Sequence, residues 1–211
     1  MEHAACLDDA ALAACLHRLR SKPTISIPIL TGHILNRLTQ AAGELPFRPA
    51  RSEVGKPEAR VYQEFGYCGD VPDDHPLSHL GRWLEARLER ALALLPHPPV
   101  RGGFTINDVV CQRYRPGDLG ITPHRDHAAY TDLVVLVVLS GRGRYFVCAD
   151  RQGRHKDEIS SEPGRAILMP GPGFAGSPRR PFHMVSDIAS LRYSAGFRHD
   201  SRKSGGCDTA P

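Results

Sequence analysis

The sequence predicts an α+β fold in which N-terminal helices flank a double-stranded β-helix, the barrel also called a jelly roll. Two observations support this prediction. Segments rich in Ala and Leu at helical spacing lie in the first half of the chain, and short strand-like segments separated by Gly and Pro follow from Phe104 onward. Helices that precede such a series of strands are typical of a jelly-roll barrel with a helical layer on one side.

Two helices are expected before residue 44. The first covers residues 8–20, which are rich in Ala and Leu, and the second begins near Gly32. In the second helix Ile34, Leu35 and Leu38 fall on one face, so this face should be the one that contacts the core.

Residues 44–60 are rich in Pro and Arg and are predicted to form a loop. A strand over residues 61–67 and a third helix over residues 78–95 follow. The third helix carries an apolar stripe, which is expected to pack on the outside of a sheet. The stripe consists of Leu80, Trp83, Leu84, Leu88 and Leu92.

The second half of the chain contains five predicted strands, each of them short and bounded by Gly or Pro signals. They cover residues 109–114, 132–139, 144–149, 166–169 and 193–198. Residues 133–138 are apolar without alternation, so the strand that contains them should be buried on both faces.

A chain of 211 residues fits a single domain that can bury a substantial core. Within it, residues 1–60 are expected to form the N-terminal helices and a candidate substrate lid, and residues 201–211 a flexible tail. The six cysteines are scattered without a CxxC pair, and neither a secretory signal nor a membrane-spanning segment is found. We therefore expect a cytoplasmic protein with reduced thiols and no membrane contact.

The net charge of +4 and the pI near 8.8 make the chain mildly basic, which by itself is too little to indicate nucleic-acid binding. One segment combines cations with aromatic residues. It contains Arg48, Arg51, Lys56, Arg60, Tyr62, Phe65 and Tyr67. Two interpretations stay open: a lid that stacks on bases and binds phosphates, or strand aromatics that face a core.

His124 and Asp126 are two residues apart, so on an extended strand their side chains would leave the same face and could bind one metal ion. His183 is the candidate third ligand, because two imidazoles and one carboxylate on one side of Fe(II) leave positions open for other ligands. His155 and Asp157 have the same spacing. They lie in a polar segment typical of a hairpin tip, so we interpret this second copy as a solvated loop.

Candidate partners for a carboxylate surround the metal motif. Tyr114 precedes it at the end of a predicted strand, and Arg192 and Arg198 follow His183. Because the two arginines are separated by an even number of residues, both guanidiniums project to one face of a strand. Arginine suits carboxylates because its planar fork donates two parallel hydrogen bonds. Both arginines reach one small diacid only if the strand curves, as barrel strands do.

The Gly-rich loop over residues 171–180 leads directly into His183 and should therefore border the site. Phe174, Arg179 and Arg180 in this loop either contact the substrate or belong to a surface loop without a role.

The order of these motifs resembles that of the AlkB-like Fe(II)/2-oxoglutarate-dependent dioxygenases. The shared elements are the Tyr-x-Pro-Gly turn at Tyr114, the His-x-Asp pair, the distal histidine and the Arg-x5-Arg segment over residues 192–198. Upstream, the segment over residues 65–67, Pro76 and the helix that follows it are also similar, so the likeness covers roughly residues 60–198.

The resemblance implies that His124, Asp126 and His183 bind Fe(II), and that Tyr114 and Arg192 hold the distal carboxylate of 2-oxoglutarate. It also implies an enzyme that uses O2 to oxidise a C–H bond and releases succinate and CO2. Its partners would be 2-oxoglutarate and a primary substrate. A binding module without catalysis is disfavoured, because all of the implied ligands and both arginines are present.

Arg198 would lie near the metal-chelating end of 2-oxoglutarate. Gln112 and Ser194 occupy positions where nucleic-acid repair members commonly have asparagines that contact the cosubstrate, so this part of the hydrogen-bond network differs. Ala128 stands where DNA-repair members often have an acidic residue that contacts the damaged base. Oxidative dealkylation of N-alkylated nucleobases is the activity that the resemblance favours. A hydroxylase of a small metabolite or amino acid and a protein demethylase or hydroxylase are the alternatives.

Overall fold

The computed structural model describes residues 8–100 and 102–203, which fold into two antiparallel β-sheets and a layer of helices. The helices are α1 (Asp9–Leu19), α2 (Gly32–Gly43) and α3 (Pro76–Ala93). All three predicted helices are confirmed. The carboxylate of Asp8 caps α1 by accepting a hydrogen bond from the backbone N–H of Ala11 at 2.7 Å, and a proline opens α3, where its missing N–H costs nothing.

The strands of the described residues are short, as expected for a barrel. They are β1 (Ile25–Pro28), β2 (Arg48–Pro49), β3 (Glu53–Val54), β4 (Val61–Glu64), β5 (Gly66–Cys68), β6 (Asp108–Tyr114), β7 (Gly120–His124), β8 (Tyr130–Ser140), β9 (Arg144–Cys148), β10 (Asp157–Ile159), β11 (Arg165–Pro170), β12 (Phe182–Ser186) and β13 (Arg192–Asp200).

The larger sheet has the strand order β1-β11-β8-β13-β6-β5-β2, and the smaller sheet has the order β10-β9-β12-β7-β4-β3. Neighbours in both sheets are antiparallel although most of them are far apart in the chain, which is the jelly-roll connectivity. The predicted double-stranded β-helix with flanking N-terminal helices is therefore confirmed.

Two apolar clusters hold the layers together. The first lies between the helices and the larger sheet, and the predicted stripe of α3 contributes to it through Leu80, Leu84, Leu88 and Leu92. The second lies between the two sheets. Strand β8 supplies residues to both clusters, which explains why its sequence is apolar without alternation. The five predicted strands correspond to β6, β8, β9, β11 and β13.

The single strand predicted over residues 61–67 is wrong. The chain forms β4 in the smaller sheet, leaves it at Phe65, and forms β5 in the larger sheet. The ring of Phe65 packs on the ring of Tyr114 at 5.2 Å between centroids, so its side chain is inserted between the sheets at the crossing point. The alternation of residue types continues through this crossing, so the sequence pattern does not indicate that the chain changes sheet.

Residues 44–60, predicted as a loop, contain the two-residue strands β2 and β3 and a short 3-10 turn over Pro57–Ala59. Of the predicted tail, residues 201–203 form a turn after β13, in which Lys203 pairs with Asp108, and the rest lies outside the described residues. Among the described helices, none has the length and apolar character needed to cross a membrane.

Strand β7 begins at a glycine that the barrel requires. Gly120 has φ +80°, and a Cβ there would lie 2.2 Å from the carbonyl oxygen of Val185 on β12. We expect Gly120→Ala to lower the free energy of unfolding by about 2 to 5 kcal/mol, because a left-handed backbone and a backbone clash add. Gly117→Ala is the matched control: its φ is +87° with no atom within 4 Å of a Cβ, so about 1 to 2 kcal/mol is expected. Equal losses in chemical denaturation would contradict the close approach of β7 and β12.

Candidate metal centre

Strands β7 and β12 bring the two predicted histidine ligands together. His124 ends β7, His183 lies on β12, and the two residues are direct partners in the antiparallel register. Their ring centroids are 4.2 Å apart, and Nε2 of His183 lies 3.9 Å from Oδ1 of Asp126. One ligand atom from each of the three residues lies within 4.8 Å of the others. This is a donor set that could hold one metal ion.

Asp126 does not lie on the strand that carries His124, contrary to the expectation of one extended strand. Strand β7 ends at His124, and Asp126 lies in the irregular segment that follows. Asp126 therefore lies outside the strand that carries His124, and its carboxylate approaches the histidines from the irregular segment. The three predicted residues do converge, although the strand that carries His124 ends before Asp126.

Backbone carbonyl groups orient both imidazoles. Nδ1 of His124 is 3.0 Å from the carbonyl oxygen of Thr122, and Nδ1 of His183 is 3.2 Å from that of Pro181. When Nδ1–H donates to these oxygens, the lone pair of each Nε2 remains available for a metal ion. The same arrangement thus fixes the tautomer and the ring orientation.

The electrostatics of His124 and Asp126 match the protonation states that a metal ion needs. Burial, together with the neighbouring His183, lowers the pKa of His124 to about 3, so this imidazole is neutral at physiological pH. Burial raises the pKa of Asp126, but His183 and His124 outweigh it and hold the pKa below its usual value. A neutral imidazole and an ionised carboxylate are the ligand forms that bind cations.

A cavity lies between the two sheets next to the three residues. Several predicted site residues line it: Gln112, Tyr114, His124, Asp126, His183 and Arg198. The remaining walls are mostly aliphatic, from strands of both sheets. Ser194 lies beside the cavity wall, where its hydroxyl donates a hydrogen bond of 3.3 Å to Oε1 of Gln112.

Arg192 lies at the opposite end of β13 from Arg198 and is almost completely buried, with 1% of its surface exposed. It is the register partner of Tyr114. Its Nη1 donates to the carbonyl oxygen of Ser161 at 3.1 Å, whereas Nε and Nη2 are buried without a hydrogen-bond partner. No carboxylate among the described residues pairs with it. A buried cation with free donors is costly, so the site fits an anion such as a carboxylate.

The structure confirms that Arg192 and Arg198 share the inner face of one strand, since their register partners Tyr114 and Asp108 are an even number of residues apart. Unlike Arg192, Arg198 has a carboxylate partner, Asp108, at 2.6 Å. Arg192 thus has two buried nitrogen atoms without a hydrogen-bond partner, whereas Nε of Arg198 is already bound to a carboxylate.

Tyr145 was not predicted as a site residue, although it belongs to a predicted strand. It is fully buried, lines the cavity and stacks on the ring of His183 at 5.7 Å with an interplanar angle of 13°. Its hydroxyl donates only to the thioether of Met169, at 2.8 Å, which is a weak acceptor. Burial, followed by the charge of Asp126, raises the pKa of Tyr145 well above its usual value, so the hydroxyl remains a donor.

The loop over residues 171–180 contributes less to the site than its position suggested. Phe174 is buried in the cluster beside the helices, and Arg179 donates to the carbonyl oxygens of Leu19 and Lys22 near the end of α1. Only Arg180 reaches the site, where its Nη1 donates to the backbone oxygen of Asp126 at 2.8 Å. Phe174 therefore packs in the core, and neither a substrate contact nor a place in a surface loop describes it.

A cluster of cations lies next to the metal ligands and was not predicted. Arg125 stacks on Phe182 at 4.1 Å from the ring centroid, and Arg151 lies 5.5 Å from the same centroid. Arg125 separates two of the ligands in sequence, and Phe182 precedes the third. Together with Arg180, these residues form what we call the arginine cluster. Within residues 8–100 and 102–203, no ion pair involves its three arginines.

The second His-x-Asp copy is a hairpin tip, as predicted. His155 is exposed and lies in the turn between β9 and β10, and Asp157 begins β10. Neither residue belongs to the group that could hold a metal ion.

A scan against protein-family models and a search of curated proteins find no match for this sequence. Solved structures do match. An oxidoreductase of the 2OG-Fe(II) oxygenase family from Burkholderia pseudomallei has a TM-score of 0.64 at 18% identity, over 90% of this chain and 91% of that one. A prolyl hydroxylase from Trichoplax adhaerens, in complex with a peptide fragment of the hypoxia inducible factor oxygen degradation domain, has a TM-score of 0.67 at 14% identity, over 95% and 94%.

A prolyl-4-hydroxylase from Pseudomonas putida has a TM-score of 0.56 at 14% identity, over 89% of this chain and 98% of that one. These likenesses show that the chain has the fold of the 2OG-Fe(II) oxygenases over nearly its whole length. The three structures are not described as AlkB-like proteins, so that part of the resemblance stays a prediction.

We expect His124→Ala and Asp126→Ala each to weaken Mn(II) binding roughly 100-fold or more, because each removes one ligand of three. Titration calorimetry of the metal-free protein measures the effect. His155→Ala, the change in the exposed copy of the motif, is the control and should leave the affinity unchanged. A comparable loss in the control variant would contradict the choice of motif.

Proposed function

We propose that this protein is an Fe(II)- and 2-oxoglutarate-dependent dioxygenase. The observation that carries the proposal is the pairing of two features in one barrel: the His124, Asp126 and His183 group, and the buried guanidinium of Arg192 with two free donors. A metal site alone fits many activities. Here the metal site lies on the smaller sheet, and a deeply buried cation without a full set of hydrogen-bond partners lies on the larger sheet. This combination fits a cosubstrate that chelates a metal at one end and carries a carboxylate at the other.

His124, Asp126 and His183 would hold Fe(II). Iron bound there supplies the activation of O2 that couples the conversion of 2-oxoglutarate to succinate and CO2 with the oxidation of a C–H bond. Arg192 and Tyr114 would bind the distal carboxylate, which satisfies the two free N–H groups of the guanidinium.

The other residues of the cavity orient the cosubstrate and exclude water. Gln112 and Ser194, already joined by a hydrogen bond, offer further polar contacts along its chain, and Arg198 lies at the metal end. The aliphatic walls from Val110, Leu136 and others keep the cavity poor in water, which strengthens the ionic contacts inside it.

The test of the proposed chemistry is formation of succinate from 2-oxoglutarate by the iron-loaded protein. Arg192→Gln should raise the KM for 2-oxoglutarate roughly tenfold or more, since a carboxylate loses its charged partner. Arg154→Gln is the matched control, because Arg154 is exposed and pairs with Asp150 in a hairpin turn. Iron-dependent succinate formation with an unchanged KM in Arg192→Gln would move the carboxylate site elsewhere.

For the primary substrate, we propose oxidative dealkylation of N-alkylated nucleobases, as in AlkB-like enzymes. Two observations support it: the order of the motifs in the sequence, and the arginine cluster beside the metal ligands. Cζ of Arg125 and Cζ of Arg151 lie 4.1 and 5.5 Å from the ring centroid of Phe182. The N–H groups of Arg125, and those of Arg151 that do not donate to Ala59, would bind phosphate oxygens. We also propose that residues 44–60 act as a substrate lid. Arg151 ties this segment to the cluster by donating to the carbonyl oxygen of Ala59 at 3.0 Å.

Hydroxylation of a peptide is the second candidate, favoured by the prolyl hydroxylase that shares this fold and is described in complex with a peptide. A small metabolite or amino acid is the third. For these two candidates the arginine cluster would meet acidic groups rather than a phosphate backbone.

Release of formaldehyde from N-methylated single-stranded oligonucleotides separates the candidates. If nucleic acid is the substrate, the double variant Arg125→Gln and Arg151→Gln should weaken oligonucleotide binding roughly tenfold. The number of counterions released on binding, measured from the dependence of the affinity on salt concentration, should fall by about one to two. Arg144→Gln is the control, since this arginine also stacks on a phenyl ring but pairs with Glu158. Succinate formation with a proline-containing peptide, without formaldehyde from any oligonucleotide, would favour the second candidate.

A further inference from the structure

Asp108 and Arg198 face each other across β6 and β13 and form an ion pair inside the barrel. Nε of Arg198 lies 2.6 Å from Oδ2 of Asp108, and the two residues are register partners. Only 15% and 8% of their side-chain surfaces are exposed. Because the pair is buried, it is much less screened by solvent than a surface ion pair.

A second contact fixes the plane of the guanidinium. Cζ of Arg198 lies 4.1 Å from the centroid of the Tyr130 ring at the start of β8. Asp108 therefore binds the Nε side of the group while Tyr130 covers one of its faces. The side chain also lines the cavity, and no described residue accepts a hydrogen bond from its two Nη atoms.

The other oxygen of Asp108 is also bound. Nζ of Lys203, in the turn after β13, lies 2.7 Å from Oδ1. Lys203 is half exposed, whereas Arg198 is not. The carboxylate thus has one partner on the surface and one partner in the cavity, and only the second one is in a position to meet a ligand.

We propose that Asp108 and Tyr130 are positioning residues that hold Arg198 with its Nη edge toward the metal end of the cavity, where it binds the carboxylate next to the keto group of the cosubstrate. This inference rests on the proposed function, because it assumes 2-oxoglutarate as the ligand. It adds two residues, on two other strands, that determine whether the keto acid is bound in a chelating orientation.

A purely structural ion pair predicts something different. If Asp108 only joined β6 to β13, its loss would lower stability and affect all ligands of the cavity alike. A positioning role predicts a ligand-selective loss, since only a ligand with a carboxylate at the metal end depends on Arg198. Pentanoate, with the chain length of 2-oxoglutarate but a single carboxylate for Arg192, is the probe that separates the two roles.

The experiment compares 2-oxoglutarate and pentanoate on the Mn(II)-loaded protein without O2, with affinities from NMR titration. Asp108→Asn should weaken 2-oxoglutarate about tenfold and pentanoate less than about twofold. Tyr130→Leu should show the same selectivity to a smaller extent. Lys203→Gln is the matched control, because it removes the surface partner of Asp108 and leaves the contact with Arg198, and both affinities should stay within about twofold.

Equal losses for both ligands, or none, in Asp108→Asn would overturn the positioning role. If Asp108→Asn does not fold, Tyr130→Leu decides by the ratio of the two affinities, and an unchanged ratio overturns the proposal. Absence of 2-oxoglutarate binding by the unmodified Mn(II) protein would instead refute the proposed function. The two failures are therefore distinguishable.

Discussion

The antiparallel register between β7 and β12 is the constraint on which the site depends. It places His183 opposite His124, although the two residues belong to distant parts of the sequence. Because strand side chains alternate between two faces, a shift by one residue would turn one imidazole out of the barrel. The register is interrupted after His183, where the backbone of β12 approaches Gly120 so closely that no side chain fits. The glycine at the start of one strand thus helps to fix where the other strand presents its ligand.

Arg192 and Arg198 lie toward opposite ends of β13 and have different surroundings, and of the two it is Arg198 that lines the cavity. Arg192 is buried at one end with free donors, and Arg198 at the other end is held by Asp108. Burial lowers the pKa of Arg192, whereas the charges of Tyr130, Asp108 and Asp126 outweigh the burial of Arg198 and raise its pKa. A charged ligand group therefore relieves more unfavourable free energy at the Arg192 end. In the proposed function, this difference would orient an asymmetric diacid.

Much of this site could be predicted from sequence, because the chemistry is carried by residue types in a fixed order. The residues around each His-x-Asp copy indicated which copy was the candidate ligand pair and which was a hairpin tip. The even spacing of Arg192 and Arg198 predicted that both side chains lie on the same face of a strand. Contacts between distant segments could not be predicted in this way. Asp108 and Tyr145 look like ordinary strand residues until the register places them beside Arg198 and His183. The prediction of a single strand over residues 61–67 also failed, because the alternation of residue types continues through the point where the chain passes from one sheet to the other.

The alternation of β-strands also explains why recognition of a large substrate would take place outside the cavity. The residue before His183 is Phe182, which carries the arginine cluster, while the imidazole of His183 faces the space between the sheets. The cavity is enclosed between the two sheets and suits a small ligand, so most of a polymer must remain outside it. The side chains that could distinguish one polymer from another are then the arginines of the cluster, because they are charged and lack carboxylate partners among the described residues. Two members of the cluster, Arg125 and Phe182, are sequence neighbours of the candidate ligands. In the proposed function, an anion bound at the cluster would lie close to the reacting centre, because Arg125 and Phe182 are sequence neighbours of the candidate ligands.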